Sequence, residues 1–383
     1  MTEDKKVSNG MKIGIDARLW SQGGVGRYIR NLCFNLAQID KNNSYVLFVT
    51  KQDDQSVKDI IKNKNWKITI ANVKWHSLRE QLFLRRIIEK EKVDLMHFPY
   101  FNVPVFYNKP FVITIHDLIY HHFVSGQAST HPLWLLGFKI LSYRFVIRNA
   151  ANRSKKIIAV SNFTKNDIAN TLKVDKQKIE VIYEAADDVR NLKTQEIGIK
   201  NYFLYVGNVY PHKNMGLLLE AFKVLSQKNP NLHLVFVGKE DFLYKELKKH
   251  VKKLSSGGKI VFFDEVNDDK LVSLYRSAIC LVRPSLMEGF SLPPLEAMEN
   301  KCLVLASDIP VHREIFGESI IYFDQYSLDD ILAKMNYVLN LPKSEKEHLI
   351  KKQIEKAKEF SWNKTARETL RVYDNLSNSA NKS

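Results

Sequence analysis

Short runs of β-branched and aromatic residues alternate with helix-period stretches along nearly the whole chain. In the first half the pattern predicts strands at residues 12–15, 45–49, 67–70, 95–97, 111–115, 156–160 and 179–182. Helix-period segments such as 26–38 and 78–90 lie between them. The series then repeats, with strands at 202–206, 232–237, 259–262, 279–282, 303–306 and 320–323 and helices such as 215–227 and 268–277. Strand–helix alternation of this kind calls for parallel sheets covered by helices on both faces. It occurs twice, on either side of a polar stretch at 187–200. The simplest architecture is therefore α/β, with two doubly wound parallel-sheet domains facing across a cleft. Residues 1–10 and 376–383 read as frayed tails, and the last helical pattern, 344–375, breaks near 360–362 into two helices.

Composition narrows the class. The 383 residues are 45% hydrophobic and 26% charged, which excludes disordered, collagen-like and disulfide-scaffold chains. Cys33, Cys280 and Cys302 are odd in number, far apart and without zinc-site spacing. They fit reduced thiols in a cytoplasmic compartment. The N-terminus, MTEDKKVSNG, is unlike a signal or transit peptide, and no apolar run approaches the ~18 residues of a spanning helix.

The net charge of +16 is uneven: residues 1–200 carry 32 basic and 19 acidic side chains, and the remainder 26 and 23. An anionic partner of the first half is one reading, whether lipid head groups, a pyrophosphate-linked acceptor or nucleic acid; a solvated basic surface is the other. Residues 133–156 concentrate the question. They mix aromatics and aliphatics with Lys139, Arg144, Arg148, Arg153, Lys155 and Lys156. Such a helix either lies on an anionic membrane surface or packs on the core with a basic solvent edge.

The segment ICLVRPSLMEGFSLPPLEA, residues 279–297, carries the most chemistry. An apolar strand runs into a loop, and Pro293 and Pro294 suit a helix's first turn, with Ser291 as the N-cap. Glu288 then lies on the loop and Glu296 in the helix. Free N–H groups around Gly289, Phe290 and Ser291 would line an anion site at the helix start. Two carboxylates beside such a cradle suit a sugar nucleotide, the carboxylates taking hydroxyls and the amides phosphates. A βα turn with a capping glutamate is the plainer alternative.

Three other βα turns add to this. YFLYVGNVYPHKN ends a strand at Gly207 and places Lys213 near a helix start, suiting a pyrophosphate, without the nucleotide-hydrolase phosphate-loop pattern. IGIDARLWSQGGVGRY puts a loop of Gly23, Gly24, Val25 and Gly26 between a strand and a helix beginning near Arg27. It is not a dinucleotide fingerprint. FVITIHDLIY ends a strand at His116, at the mouth of the expected cleft. His97, His121, His122 and His131 show no metal-ligand spacing, and no G-x-S-x-G elbow occurs.

In order and spacing, IGIDAR with GGVGRY, TIHDLIY, AVSNFTKNDI, YVGNVYPHKN, PSLMEGFSLPPLEAM, ASDIPVHREIFG and FSWNKTARETLRVY resemble the retaining glycosyltransferases of family four, with the B-type double-Rossmann fold. The tone is nearest the mannosyl- and rhamnosyltransferases of surface polysaccharides. The resemblance implies an acceptor domain at 11–190, a donor domain at 201–360 and a final helix, 361–375, returning to the first. Glu288 would hold donor-sugar hydroxyls, Glu296 the ribose, and His116 the sugar at the reacting face. Lys213 and the amides of Gly289, Phe290 and Ser291 would neutralise the diphosphate. The donor set comprises Gly24, Gly207, Asn208, Lys213, Glu288, Gly289, Phe290, Ser291, Leu292 and Glu296. His116, Lys213 and Glu288 form its catalytic part. Gly23, Gly24, Gly26, Arg27 and Tyr28 would face phosphates or acceptor.

The chain departs from the family pattern at Asn208, where arginine is usual; at Ser291, where glycine is usual; and at Glu184-Ala185, where Asn-Gly is common. His212 or Arg283 could compensate for Asn208. The implied reaction is front-face transfer of a hexose, mannose favoured, from a nucleoside diphosphate sugar such as GDP-mannose, with retention. It needs no metal and no cofactor beyond the substrates. The acceptor would be a glycan, free or carried on a polyprenyl pyrophosphate, with an anionic membrane surface as a further candidate partner. The expected location is cytoplasmic, including the inner face of the plasma membrane. A sugar-nucleotide epimerase or phosphorylase is the alternative enzyme, although no pyridoxal-binding lysine is identifiable. A basic nucleic-acid-binding protein is the alternative of another class; no such module pattern occurs, so nucleic acid is not an expected partner.

Overall fold

The computed structural model describes residues 10–123, 133–187, 192–253 and 259–380; the 188–191 part of the polar stretch, His131 and the outermost tails lie outside it. The chain divides into two compact units. Unit 1 comprises Met1–Leu118, Trp134–Glu184 and Trp362–Ser383; unit 2 comprises Ile119–Leu133 and Ala185–Ser361.

In chain order, unit 1 begins with β1 (Lys12–Asp16), α1 (Gly23–Ile39), β2 (Ser44–Val49), α2 (Asp54–Ile60) and β3 (Trp66–Ile70). A π-turn, Glu80–Leu84, runs into α3 (Arg85–Lys90), followed by β4 (Leu95–Phe98) and β5 (Phe111–Ile115). After α4 (Ile119–His122), which belongs to unit 2, come α5 (Leu133–Arg153), β6 (Lys156–Ala159), α6 (Asn162–Leu172) and β7 (Ile179–Val181). Unit 2 carries β8 (Tyr202–Val206), α7 (Met215–Lys228), β9 (His233–Val237), α8 (Phe242–Lys253), β10 (Ile260–Phe263), α9 (Asp268–Ser277) and β11 (Cys280–Arg283). It continues through α10 (Leu292–Glu299), β12 (Leu303–Ser307), α11 (Pro310–Phe316), β13 (Ile321–Phe323), α12 (Leu328–Leu339) and α13 (Lys343–Ala357). The last helix, α14 (Trp362–Ala380), returns to unit 1 and runs past residue 376, where a frayed tail was expected.

Among the described residues the strands form two all-parallel sheets, ordered β3-β2-β1-β4-β5-β6-β7 and β10-β9-β8-β11-β12-β13. Strands such as β5 and β12 are buried at every position because helices cover both faces. In each sheet the strand order reverses beside the first strand: between β1 and β4, and between β8 and β11. Side-chain caps start several helices: Ser161 accepts from the Thr164 N–H at 3.0 Å, and Asn267 from Lys270 at 2.9 Å. Helix α14 lies along α1 and buries Trp362, Ala366, Thr369 and Tyr373, a stripe at helical spacing. The Tyr373 hydroxyl meets His97 Nδ1 at 2.6 Å inside unit 1. The three cysteines are free and buried. No helix among the described residues is long and apolar enough to cross a membrane.

Candidate functional site

A parallel sheet opens a crevice outside its strand carboxyl ends wherever the strand order reverses. In unit 2 two loops meet there. One follows β8 through Gly207 and Asn208 to the short turn Pro211–Lys213; the other follows β11 from Pro284 to Ser291. The Leu286 N–H donates to the His212 carbonyl at 2.8 Å and ties them together. Gly207 has a φ of +134°, and a Cβ there would lie 3.0 Å from Arg283 Nη1. A Cβ on Gly238 would lie 2.3 Å from the Gly207 carbonyl oxygen. Both glycines therefore permit backbone to pass where a side chain would collide.

The two loops enclose one ionic cluster. Lys213 Nζ donates to both oxygens of Glu288, at 2.9 and 2.8 Å. Arg283 reaches Glu288 Oε1 from Nε at 2.8 Å and from Nη2 at 2.7 Å, and its Nη1 donates to the Val206 carbonyl at 2.9 Å. The Ser285 hydroxyl donates to the same carboxylate at 2.6 Å. All four residues are buried. Burial alone would raise the Glu288 pKa, but Arg283 and Lys213 outweigh it and hold the carboxyl far below the usual range. Two cations thus share one anion, and the cluster carries one excess positive charge. His212 adds none: burial and the neighbouring Lys213 push it down to about 3. Arg283 is charged but committed to Glu288, so neither residue simply replaces the arginine expected at Asn208.

Helix α10 starts beside the cluster. Pro293 and Pro294 occupy its first turn and Ser291 the N-cap position, as the sequence indicated, but the Ser291 side chain makes no capping hydrogen bond. Ser291 sits in the left-handed region at φ +80°, where a glycine is the usual occupant, and its buried hydroxyl has no hydrogen-bond partner among the described residues. Gly289 and Phe290 are buried, and the Phe290 ring meets the Phe360 edge at 5.7 Å. Glu296 is buried and accepts from the Tyr275 hydroxyl at 2.8 Å. His312 donates from Nδ1 to the Ser307 carbonyl at 2.8 Å, so its buried Nε2, which has no partner among the described residues, is an acceptor.

In unit 1, Gly23 and Gly24 are not a loop but the first turn of α1, which begins four residues before Arg27. Among the described residues, nothing beyond its chain neighbours and the helix's own backbone lies within 4 Å of a Cβ placed on either, whereas one on Gly26 would meet the Trp20 carbonyl oxygen at 2.5 Å. Gly26 therefore serves close packing. Tyr28 is fully buried; its hydroxyl bonds Thr114 at 3.1 Å and its ring abuts His116 at 4.9 Å. His116 has both ring nitrogens occupied, Nδ1 by Glu184 at 2.9 Å and Nε2 by the Pro99 carbonyl at 3.0 Å. Burial opposes its charging, but the Glu184 contact prevails and raises the pKa.

The fold thus gathers Gly207, Lys213 and Glu288 at one strand-order reversal, with α10 beginning beside it; Asn208 stands exposed on the same loop. His116 and Tyr28 form a separate pair within unit 1. Sequence reasoning overlooked Ser285 and His312 and gave Arg283 only a compensating role. The signal for Arg283 was present, as a charged residue ending the apolar run ICLV.

The fold is that of the double-Rossmann glycosyltransferases. Sucrose-phosphate synthase of Thermosynechococcus elongatus superposes with a TM-score of 0.74 at 18% identity, covering 96% of this chain and 99% of that one. Anabaena HepE in complex with UDP-glucose gives 0.73 at 15% identity, covering 95% and 100%. The family models Glycosyltransferase Family 4 and Glycosyl transferases group 1 match residues 22–190 and 189–358. The O-antigen chain mannosyltransferase RfbU of Salmonella typhimurium is 31% identical over 267 residues, 70% of this chain and 71% of that protein. O-antigen chain mannosyltransferase B of Escherichia coli is 27% identical over 241 residues, covering 59% and 62%. The chain belongs to the family-four glycosyltransferases and is a glycosyltransferase.

Proposed function

We propose that this enzyme transfers a mannosyl group from GDP-mannose, with retention, to a glycan or polyprenyl-pyrophosphate-linked glycan during surface polysaccharide synthesis. Unit 1 holds the acceptor and unit 2 the donor. The observation that carries this reading is the net-cationic Lys213–Glu288–Arg283 cluster beside the start of α10. The two O-antigen mannosyltransferase relatives support the choice of sugar.

Breaking the sugar–phosphate bond leaves positive charge on the sugar and negative charge on the departing diphosphate. The excess charge of the cluster and the N–H groups of Gly289, Phe290 and Ser291 stabilise that departing charge more than they stabilise the ground state. On this view the cations are side chains and no metal is needed. Arg283 keeps the Glu288 carboxylate in place when Lys213 turns to the phosphate. Glu288 then offers oxygen to the donor hydroxyls, and Glu296 to the ribose. Attack comes from the face the diphosphate leaves, and a phosphate oxygen takes the acceptor's proton. Gly207, Asn208 and Leu292 shape the donor site; Gly23, Gly24 and Arg27 lie on the acceptor side, and Gly26 and Tyr28 support them from within.

Helix α5 supports a working position against an anionic membrane face. It contains Lys139, Arg144, Arg148 and Arg153 with no acidic residue, and it exposes Phe138, Leu141 and Phe145 while burying Ile147, Ala150 and Ala151.

A thermal-shift panel of GDP-, UDP- and dTDP-sugars tests the proposal. A donor at 100 times its dissociation constant adds ~2.7 kcal/mol of stability. GDP-mannose should raise the melting temperature of the wild type but not of Lys213→Ala. Turnover of Lys213→Ala should fall by tens to thousands of fold, ~2–4 kcal/mol. A flat panel, or an undiminished response in the variant, refutes the assignment.

A further inference from the structure

The other strand-order reversal, between β1 and β4 in unit 1, is also a built site. Arg18, two residues past β1, is buried against Asp16, with Nε–Oδ1 at 2.8 Å and Nη2–Oδ2 at 2.6 Å, and against Glu80 Oε1 at 2.6 Å. Its Nη1 donates to the Val73 carbonyl at 3.2 Å. The fully buried Glu80 carboxylate also accepts from the Asn102 side chain and from the His76 N–H at 2.9 Å. Taking such ions out of water costs several kcal/mol each, a poor way to steady an ordinary loop. The network fixes the loops that follow β3 and β4 at the sheet's carboxyl edge.

What those loops display is aromatic. Trp75 stacks on His76 with centroids 3.8 Å apart and planes 23° apart, and Tyr100 lies 5.3 Å from Trp75. Phe101, buried, lies 4.1 Å from Tyr100. His76 is exposed; Trp75 and Tyr100 are half-buried. His76 adopts a φ of +55°, a conformation uncommon for a residue with a side chain. The π-turn Glu80–Leu84 follows directly, a rare form that concentrates at functional sites.

We infer that Trp75, His76 and Tyr100 form the platform on which a pyranose unit of the acceptor glycan lies. This rests on the reading that the acceptor is a saccharide. A sugar ring has a C–H face that sits on the electron-rich face of an aromatic ring, and hydroxyls at its rim. The His76 imidazole offers one donor and one acceptor to those hydroxyls. The buried ion frame holds the rings in place before the sugar arrives, so little ordering cost remains on binding.

Saturation-transfer NMR on the full-length protein tests this, with the methyl glycosides of mannose, rhamnose, galactose and N-acetylglucosamine as probes. At least one should receive saturation on a single ring face. Trp75→Ala and Tyr100→Ala should each weaken its binding about 5–100-fold, the range for losing one stacked ring. Trp75→Phe should keep most of it. The melting response to nucleotide sugars is read separately and should be unchanged in all three variants. Glycoside binding that survives Trp75→Ala, or no glycoside bound by the wild type, overturns the platform. A nucleotide response lost with Trp75 also overturns it, by placing a nucleobase on the rings. Failure of every nucleotide sugar to bind the wild type refutes the transferase reading instead and leaves the glycoside result to decide the platform.

Discussion

Replacing Glu288 by glutamine removes the charge that Lys213 and Arg283 share. Those side chains are only 8% and 5% exposed, so water does not take over the lost role. Removing one partner of a buried pair costs ~3–5 kcal/mol. At ~2–4 °C per kcal/mol for a unit of this length, unit 2 should melt ~6–20 °C lower. Scanning calorimetry at neutral pH reads this directly. The pH dependence has a definite sign. A carboxyl whose pKa is depressed in the folded state stabilises above its unfolded value of ~4.3, and that contribution fades as pH falls toward the depressed value. The gap between wild type and variant should therefore be constant above about pH 5 and close on further acidification. The variant also keeps Lys213 and Arg283 close together without the carboxylate they share. A nucleoside diphosphate should consequently restore more stability to Glu288→Gln than it adds to the wild type. A melting temperature within about 2 °C of wild type, less than 1 kcal/mol, would refute the ionic account and leave Glu288 as a substrate contact alone.

Other residues give sharper local tests. Gly207→Ala places a methyl 3.0 Å from the Arg283 guanidinium at a φ of +134°, and should cost ~1–3 kcal/mol in melting experiments. Ser291→Gly relieves a left-handed backbone at φ +80° and should raise stability by about 1 kcal/mol; a lowered melting temperature would show that the hydroxyl matters to the fold. Glu184→Gln should destabilise unit 1 below about pH 6.5, where the raised His116 pKa contributes fully. That difference should vanish as pH rises through the raised value, and a pH-independent loss would contradict it. Tyr373→Phe leaves His97 Nδ1 without its 2.6 Å partner and should cost ~1–3 kcal/mol by denaturant titration.

Nearly all of the strand framework is readable from the sequence, because a strand buried on both faces must be apolar along its length. The runs FVITI and YFLYV coincide with β5 and β8 residue for residue. The turns after β8 and β11 are readable too, since glycine, proline and lysine announce turn geometry and charge locally. What escapes is whatever depends on a partner distant in sequence. Glu288 reads as a loop carboxylate free to meet a sugar, yet its partner Lys213 is 75 residues away, and only the meeting of β8 with β11 joins them. The glycines at 23 and 24 read as a loop because glycine weakens helices, but packing of Tyr28 and Ile29 draws them into α1. Ser291 reads as a cap by residue type, while the preceding loop forces it to φ +80°, where its hydroxyl cannot reach the helix N–H groups. The Arg18–Glu80 frame is invisible for the same reason, its members being 62 residues apart.

The return of α14 to unit 1 has a consequence for synthesis on the ribosome. The face of α1 that it covers, and the His97 ring that Tyr373 closes over, are made in the first hundred residues. At ~5–20 residues per second, roughly 10–40 s separate the emergence of Glu184 from that of the final helix. During that interval the nascent N-terminal lobe carries an open apolar seam. Chaperone occupancy should concentrate there and end when Trp362 to Ala380 docks.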